Sequence, residues 1–229
     1  LERVNEGGMS EDSLYLNVTT PKNADNLPVM VWFHGGSFAI LSANSSQYNN
    51  PQGLTEKDVV LVTVNHRLGP FGYIAHPLLT AESGYNGSGN YGQMDLVMAL
   101  QWVQDNIAAF GGEPGNVTIF GQSGGGGKVY SLMNSPQAIG LFHKAIVQSG
   151  FAPLDTTGEP GDSLAESEAI GAALFARAGV ESLEEARALP WTAFAKADLD
   201  NSIPRQTYRP NVDYYYQPKT YYQNVLDGM

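Results

Sequence analysis

The sequence contains no cysteine. That excludes disulfides, thiolate metal ligands and a thiol nucleophile. Positive charge is scarce as well: 12 Lys and Arg against 23 Asp and Glu leave a formal net charge of −11 and a pI near 4.6. A phosphate backbone would be repelled, so no nucleic-acid partner is expected. No apolar run approaches the roughly 18 residues of a bilayer-spanning helix, so no membrane span is expected either. The chain opens Leu-Glu-Arg, without an initiating Met or a charged-then-apolar leader. It reads as a soluble segment of a longer protein, and its compartment is not indicated.

What is present has an alternating rhythm up to about residue 150. SLYLNV (13–18), PVMVWFHG (28–35), DVVLVTVNH (58–66), NVTIF (116–120) and KAIVQSG (144–150) are short runs rich in Val, Ile and aromatics. Gly, Pro or Asn bounds them, as expected of strands. The middle runs are apolar throughout, which suits parallel strands buried on both faces. Between them, MDLVMALQWVQDNIAAF (94–110) places Leu96, Leu100, Val103, Ile107 and Phe110 at helical spacing, and GGEPGN is expected to turn the chain into the next strand. Strands alternating with helices predict an α/β sheet with helices packed on it. Beyond residue 150, LAESEAIGAALFARAG (164–179) and SLEEARAL (182–189) read as amphipathic surface helices, and the Tyr-rich end as a loop with one short helix.

One stretch carries chemistry. FGQSGGGGK (120–128) sets Ser123 within G-x-S-x-G, between the strand NVTIF and the helical run KVYSLMNS. In a strand–turn–helix setting such a serine is held in a strained conformation with its Oγ projecting above the sheet. The N–H of the next residue, Gly124, then points at a developing oxyanion from a helix N-terminus. A phosphate-binding loop is excluded, because Gln122 stands where its first glycine belongs and Val129 where its Ser or Thr belongs. The dinucleotide-binding glycine pattern fails too, since Val129 occupies its last glycine position. Four glycines opening a helix cost about 1 kcal/mol each against alanine, so something should offset them. Upstream, WFHGGSFA (32–39) leaves a strand through His-Gly-Gly, a second glycine turn that can supply further oxyanion donors.

Taken together, SEDSLYLNV (10–18), LPVMVWFHGGSF (27–38), NHRLGPFGY (65–73), GNYGQMDLVMALQWVQDNIAAFGGEPGNVTIFGQSGG (89–125) and GLFHKAIVQSG (140–150) resemble the type B carboxylesterases, the cholinesterase-like branch of the α/β-hydrolases. The resemblance implies an α/β-hydrolase fold, a mostly parallel central sheet with helices on both faces, incomplete in this chain. Residues 1–229 would be the N-terminal portion of one such domain. Within it, 1–150 would be the sheet core with oxyanion loop and nucleophile elbow, and 151–229 a helical and loop excursion. It implies a serine carboxylic-ester hydrolase with a small-molecule ester substrate, and no metal or cofactor. Carried over by position, Ser123 is the nucleophile, Gly36, Ser37 and Gly124 give the oxyanion N–H groups, and Gly35 shapes the loop. Ser149 is the serine supporting the histidine and the acid.

Departures from the family pattern refine this. Gln122 stands beside the nucleophile where Glu is usual, which weakens the case for a cationic choline ester. Ser37 replaces the third loop glycine, Gly124 replaces a usual Ala, and Ser13 replaces a frequent cysteine. Tyr214 stands where a glycine is normal, which leaves the path of residues 213–217 open.

A serine nucleophile needs a histidine. The chain has four, at 34, 66, 76 and 143. His34 belongs to the oxyanion loop, His66 ends a strand, His76 precedes Pro77, and His143 falls where family members carry a non-catalytic one. The fold's chain order is serine, acid, histidine, and none of the four fits. The acid and the base are therefore expected beyond residue 229, either in a complementary C-terminal chain supplying Glu or Asp and His, or in the remainder of the same protein. A truncated inactive product would leave a hydrophobic sheet edge unpaired and prone to aggregation. The alternative from another class is an inactive binding or adhesion protein on the same scaffold; retention of Ser123 disfavours it.

Overall fold

A computed structural model describes residues 8–45, 51–150, 163–199 and 208–228. In chain order the elements are β1 (Leu16–Thr19), β2 (Leu27–Phe33), α1 (Gln52–Thr55), β3 (Val60–Val64), α2 (Gly69–Tyr73), α3 (Pro77–Glu82) and α4 (Tyr91–Asn106). They continue with β4 (Gly112–Gln122), α5 (Gly124–Met133), β5 (Lys144–Gln148), α6 (Leu164–Ala178), α7 (Leu183–Ala188), α8 (Trp191–Leu199) and α9 (Tyr221–Leu226). These gather into two compact units. The first takes the described residues up to His66 and Gln93–Gly150; the second takes Arg67–Gly92 and the described residues from Ser163 onward.

The first unit holds a five-stranded sheet in the order β1-β3-β2-β4-β5. β2 pairs in parallel with both β3 and β4, and β4 pairs in parallel with β5. β1 is the exception and runs antiparallel to β3. The apolar runs dictate this placement. β3 buries Val60, Leu61, Val62 and Val64, and β2 buries Val29, Val31, Trp32 and Phe33. Each large apolar side chain withdrawn from water contributes about 1.5–3 kcal/mol, so these strands take the centre. β4 buries Val117, Ile119 and Gly121 and leaves the alternate residues half-buried. It does not share the two-sided burial expected of the middle strands. At the sheet margin, Ile146 and Val147 of β5 remain partly exposed.

Helix α4 buries Leu96, Leu100 and Val103 completely, and Ile107, the first residue after it, is buried with them, as their spacing predicts. Phe110 departs from that stripe. It lies in the 3-10 turn Ile107–Phe110, is 40% exposed and tilts against Trp102 at 5.8 Å. The GGEPGN segment is also more ordered than a connecting turn. Gly111 closes the helix in the left-handed region at φ 80°, and Gly112 already pairs with Leu27 as part of β4. A Cβ at Gly112 would sit 2.8 Å from both Ile107 and Val29, so only glycine lets helix and strand approach this closely.

The second unit is helical. α6 and α7 each begin with a capping box, Ser163 with Glu166 and Ser182 with Glu185, which satisfies free backbone donors at both starts. Gly171 of α6 faces the Ala75 carbonyl with no room for a side chain, and His76 stacks on Phe175 at 4.0 Å. The 208–217 segment is anchored through Asn211. Its backbone N–H donates to Asn90 Oδ1 at 3.1 Å, while Asn90 Nδ2 donates to the Asn211 carbonyl at 2.9 Å. Tyr214 keeps the left-handed conformation a glycine would adopt, with φ 63°, and Asp213 Oδ1 accepts the N–H groups of Tyr215 and Gln217. That defines the path of 213–217. Within the expected 151–229 excursion, 151–162 and 200–207 lie outside the described residues.

Candidate active site

β2, β4 and β5 are adjacent and parallel, so their C-terminal ends open on one edge of the sheet. In open α/β sheets ligands bind at that edge. The His34–Ser37 loop leaves β2 there, Ser123 leaves β4, and Ser149 leaves β5.

Ser123 follows the last residue of β4 and precedes the first residue of α5. Its backbone sits at φ 55°, ψ −124°, a region that side-chain-bearing residues rarely enter. Two hydrogen bonds hold it there: Ser123 N–H donates to the Gln148 carbonyl of β5 at 2.9 Å, and its own carbonyl accepts from Gly127 at 3.1 Å. Its side chain is exposed. Eight non-glycine residues among those described have positive φ, and Ser37, Ser123 and Ser149 are three of them. Strain of this kind, about 1–3 kcal/mol each, concentrates at functional sites.

The glycines around Ser123 explain the approach of loop to elbow. A Cβ on Gly124 would fall 2.5 Å from the Ser37 amide nitrogen. Gly125 presses on the Phe33 and His34 carbonyls, Gly121 on Gly125 and Phe33, and Gly126 lies 2.7 Å, measured from an added Cβ, from Gly150 Cα. These contacts account for Gly124, Gly125 and Gly126, whose helical cost is offset by close backbone packing. Gly36 takes φ 82° and its carbonyl accepts from Ala39 and Ile40, curling the loop back on itself. Gly35 is buried, and its carbonyl accepts the Nδ1–H of His34 at 2.9 Å. Gln122 ends β4 half-buried, paired with Gln148. The structure thus gathers Gly35, Gly36, Ser37, Gln122, Ser123, Gly124 and Ser149 at the ends of three neighbouring strands.

Every histidine has a local role. His34 is buried, and desolvation, reinforced by the nearby Lys128 charge, lowers its pKa to about 3; it is neutral. Its ring stacks on His66, with centroids 4.9 Å apart. His76 Nδ1 caps α3 by accepting from Leu78, and His143 Nδ1 accepts from Val117.

Lys128 is a residue at this site whose place the sequence does not indicate. Its side chain is 0% exposed, its Nζ donates to the His34 carbonyl at 2.8 Å, and burial lowers its pKa to about 7. The sequence signal was faint: a lone lysine among glycines and apolar residues, where lysine normally marks a solvated face.

A mostly parallel sheet, a strained serine between strand and helix, and a glycine loop from the neighbouring strand define an α/β-hydrolase scaffold. The chain belongs to the carboxylesterase family, whose model matches residues 2–224. It is 42% identical over 217 residues to fumonisin B1 esterase of Sphingopyxis macrogoltabida, covering 91% of this chain and 38% of that protein. It is 46% identical over 142 residues to para-nitrobenzyl esterase of Bacillus subtilis (strain 168), covering 62% and 28%. A solved PNB esterase superposes with a TM-score of 0.84 at 34% identity, over 96% of this chain and 46% of that one. The chain therefore spans less than half the length of these relatives.

Proposed function

We propose that the complete protein bearing this chain is a serine carboxylic-ester hydrolase working through an acyl-enzyme. The observation that carries the reading is the strained Ser123 turn, whose next residue abuts the Ser37 backbone. Ser123 Oγ attacks the ester carbonyl and passes its proton to a histidine. The N–H groups of Gly36, Ser37 and Gly124 receive the tetrahedral oxyanion, each such donor being worth about 3 kcal/mol of barrier. Collapse expels the alcohol, protonated by the same histidine, and leaves the acyl group on Ser123 Oγ. Water, deprotonated by that histidine, then attacks and frees the acid. Ser149, next to the strand residue that holds Ser123, supports the histidine and its acid.

The four histidines of this chain already serve ring stacks, caps and backbone contacts. We therefore assign the base and the acid to sequence outside it, as the greater length of the relatives supports. The similar proteins are named esterases of para-nitrobenzyl and fumonisin substrates. Neutral Gln122 beside Ser123 favours uncharged carboxylic esters over cationic ones.

The test is a fluorophosphonate probe on the complete protein, with peptide mapping and ester turnover. The adduct is expected on Ser123, and Ser123→Ala should lose both adduct and turnover. A native, folded protein that takes no adduct and hydrolyses no ester would sink the proposal and return the binding-protein reading.

A further inference from the structure

Fully buried lysines are rare unless paired. Lys128 is 0% exposed on the first turns of α5, among Gly125, Gly126, Gly127, Val129 and Leu132, all buried. Burial pulls its pKa from 10.5 down to about 7. An apolar residue of similar length would fill this space without that cost.

The position of the amine offers a reason for the lysine. Nζ donates to the His34 carbonyl at 2.8 Å and lies 5.9 Å from the centroid of the Phe38 ring. His34 and Phe38 flank Gly35, Gly36 and Ser37. One side chain of the elbow helix thus grips both ends of the loop carrying two of the three oxyanion donors; Gly124, the third, begins that same helix. We infer that Lys128 is a positioning residue that fixes the Gly36 and Ser37 N–H groups relative to Ser123 and Gly124. This role rests on the ester-hydrolase reading.

Donors aimed at an oxyanion act in the transition state and little in the ground state. Displacing them therefore lowers kcat and leaves KM nearly unchanged. A misplacement near 1 Å costs about 100-fold.

The experiment compares the complete wild-type protein with Lys128→Met and Lys128→Gln on p-nitrophenyl esters, each normalised to sites titrated by a fluorophosphonate. Lys128→Met is expected to lower kcat about 10- to 100-fold with KM within about threefold. A trifluoromethyl ketone, which forms an oxyanion on the serine, should lose affinity in parallel. Lys128→Gln keeps an N–H donor and should recover part of the loss. Unchanged kcat per titrated site in Lys128→Met overturns the role, as does failure of both variants to fold, which makes Lys128 a structural residue. A wild type without ester turnover sinks the hydrolase reading and this role together; an active wild type matched by Lys128→Met sinks this role alone.

Discussion

Gly124 faces the Ser37 backbone so closely that a Cβ on it would come within 2.5 Å of the Ser37 amide nitrogen and Cα. Backbone atoms cannot rotate away as a flexible side-chain tip can. Gly124→Ala should therefore displace the His34–Ser37 loop, although alanine is the usual residue in the family pattern. The expected outcome is a fall in kcat of about 100-fold and a stability loss of about 1–3 kcal/mol. Steady-state kinetics beside a urea titration of the complete protein would check both.

Strain at Ser123 makes a separate prediction. With φ at 55° and ψ at −124°, the side chain adds a cost that glycine would not carry. Ser123→Gly should gain about 1 kcal/mol in unfolding free energy while losing all turnover. Ser123→Ala should lose turnover without that gain. Equal urea midpoints for the two variants would show that the turn is unstrained.

Stability should depend on pH through two buried bases. Lys128 drops from 10.5 to about 7 and His34 from 6.5 to about 3, both chiefly by desolvation. Between each pair of values the unfolded chain binds the extra proton, so stability rises with pH across that window. His34 contributes its rise between about 3 and 6.5, and Lys128 its rise between about 7 and 10.5. Urea midpoints measured from pH 5 to 10 should climb in the upper window for wild type and flatten there in Lys128→Met.

Tyr214 occupies a left-handed conformation at φ 63° with its side chain 68% exposed. Such a position costs a non-glycine residue about 1–2 kcal/mol, partly offset in a glycine variant by the freer unfolded chain. Tyr214→Gly should raise the unfolding free energy by up to about 1 kcal/mol, and Tyr214→Ala should not. Thermal unfolding of the two variants would separate strain from lost contacts.

Much of the scaffold was legible locally. VMVWF and VLVTV are predominantly apolar runs that favour burial, and they became adjacent parallel strands of the sheet. The spacing of Leu96, Leu100, Val103 and Ile107 defined the buried face of α4 and of the turn that follows it, and the glycine-flanked Ser123 marked its own turn. Such features depend on residues a few positions apart, whose propensities and periodicity are written in the chain. Antiparallel β1, the pairing of Leu27 with Gly112 and the exposure of Phe110 were not legible, because register and the end of a helix follow from distant partners.

The candidate site divides the same way. The sequence by itself determined the glycine-flanked serine turn, the His-Gly-Gly loop and the positions of the four histidines, since each rests on residue identity and spacing. Only the tertiary structure decided that Ser37, Ser123 and Ser149 share one sheet edge in strained conformations. It alone buried Lys128 against the His34 carbonyl, because a lysine leaves water only where distant backbone closes over it and offers an acceptor.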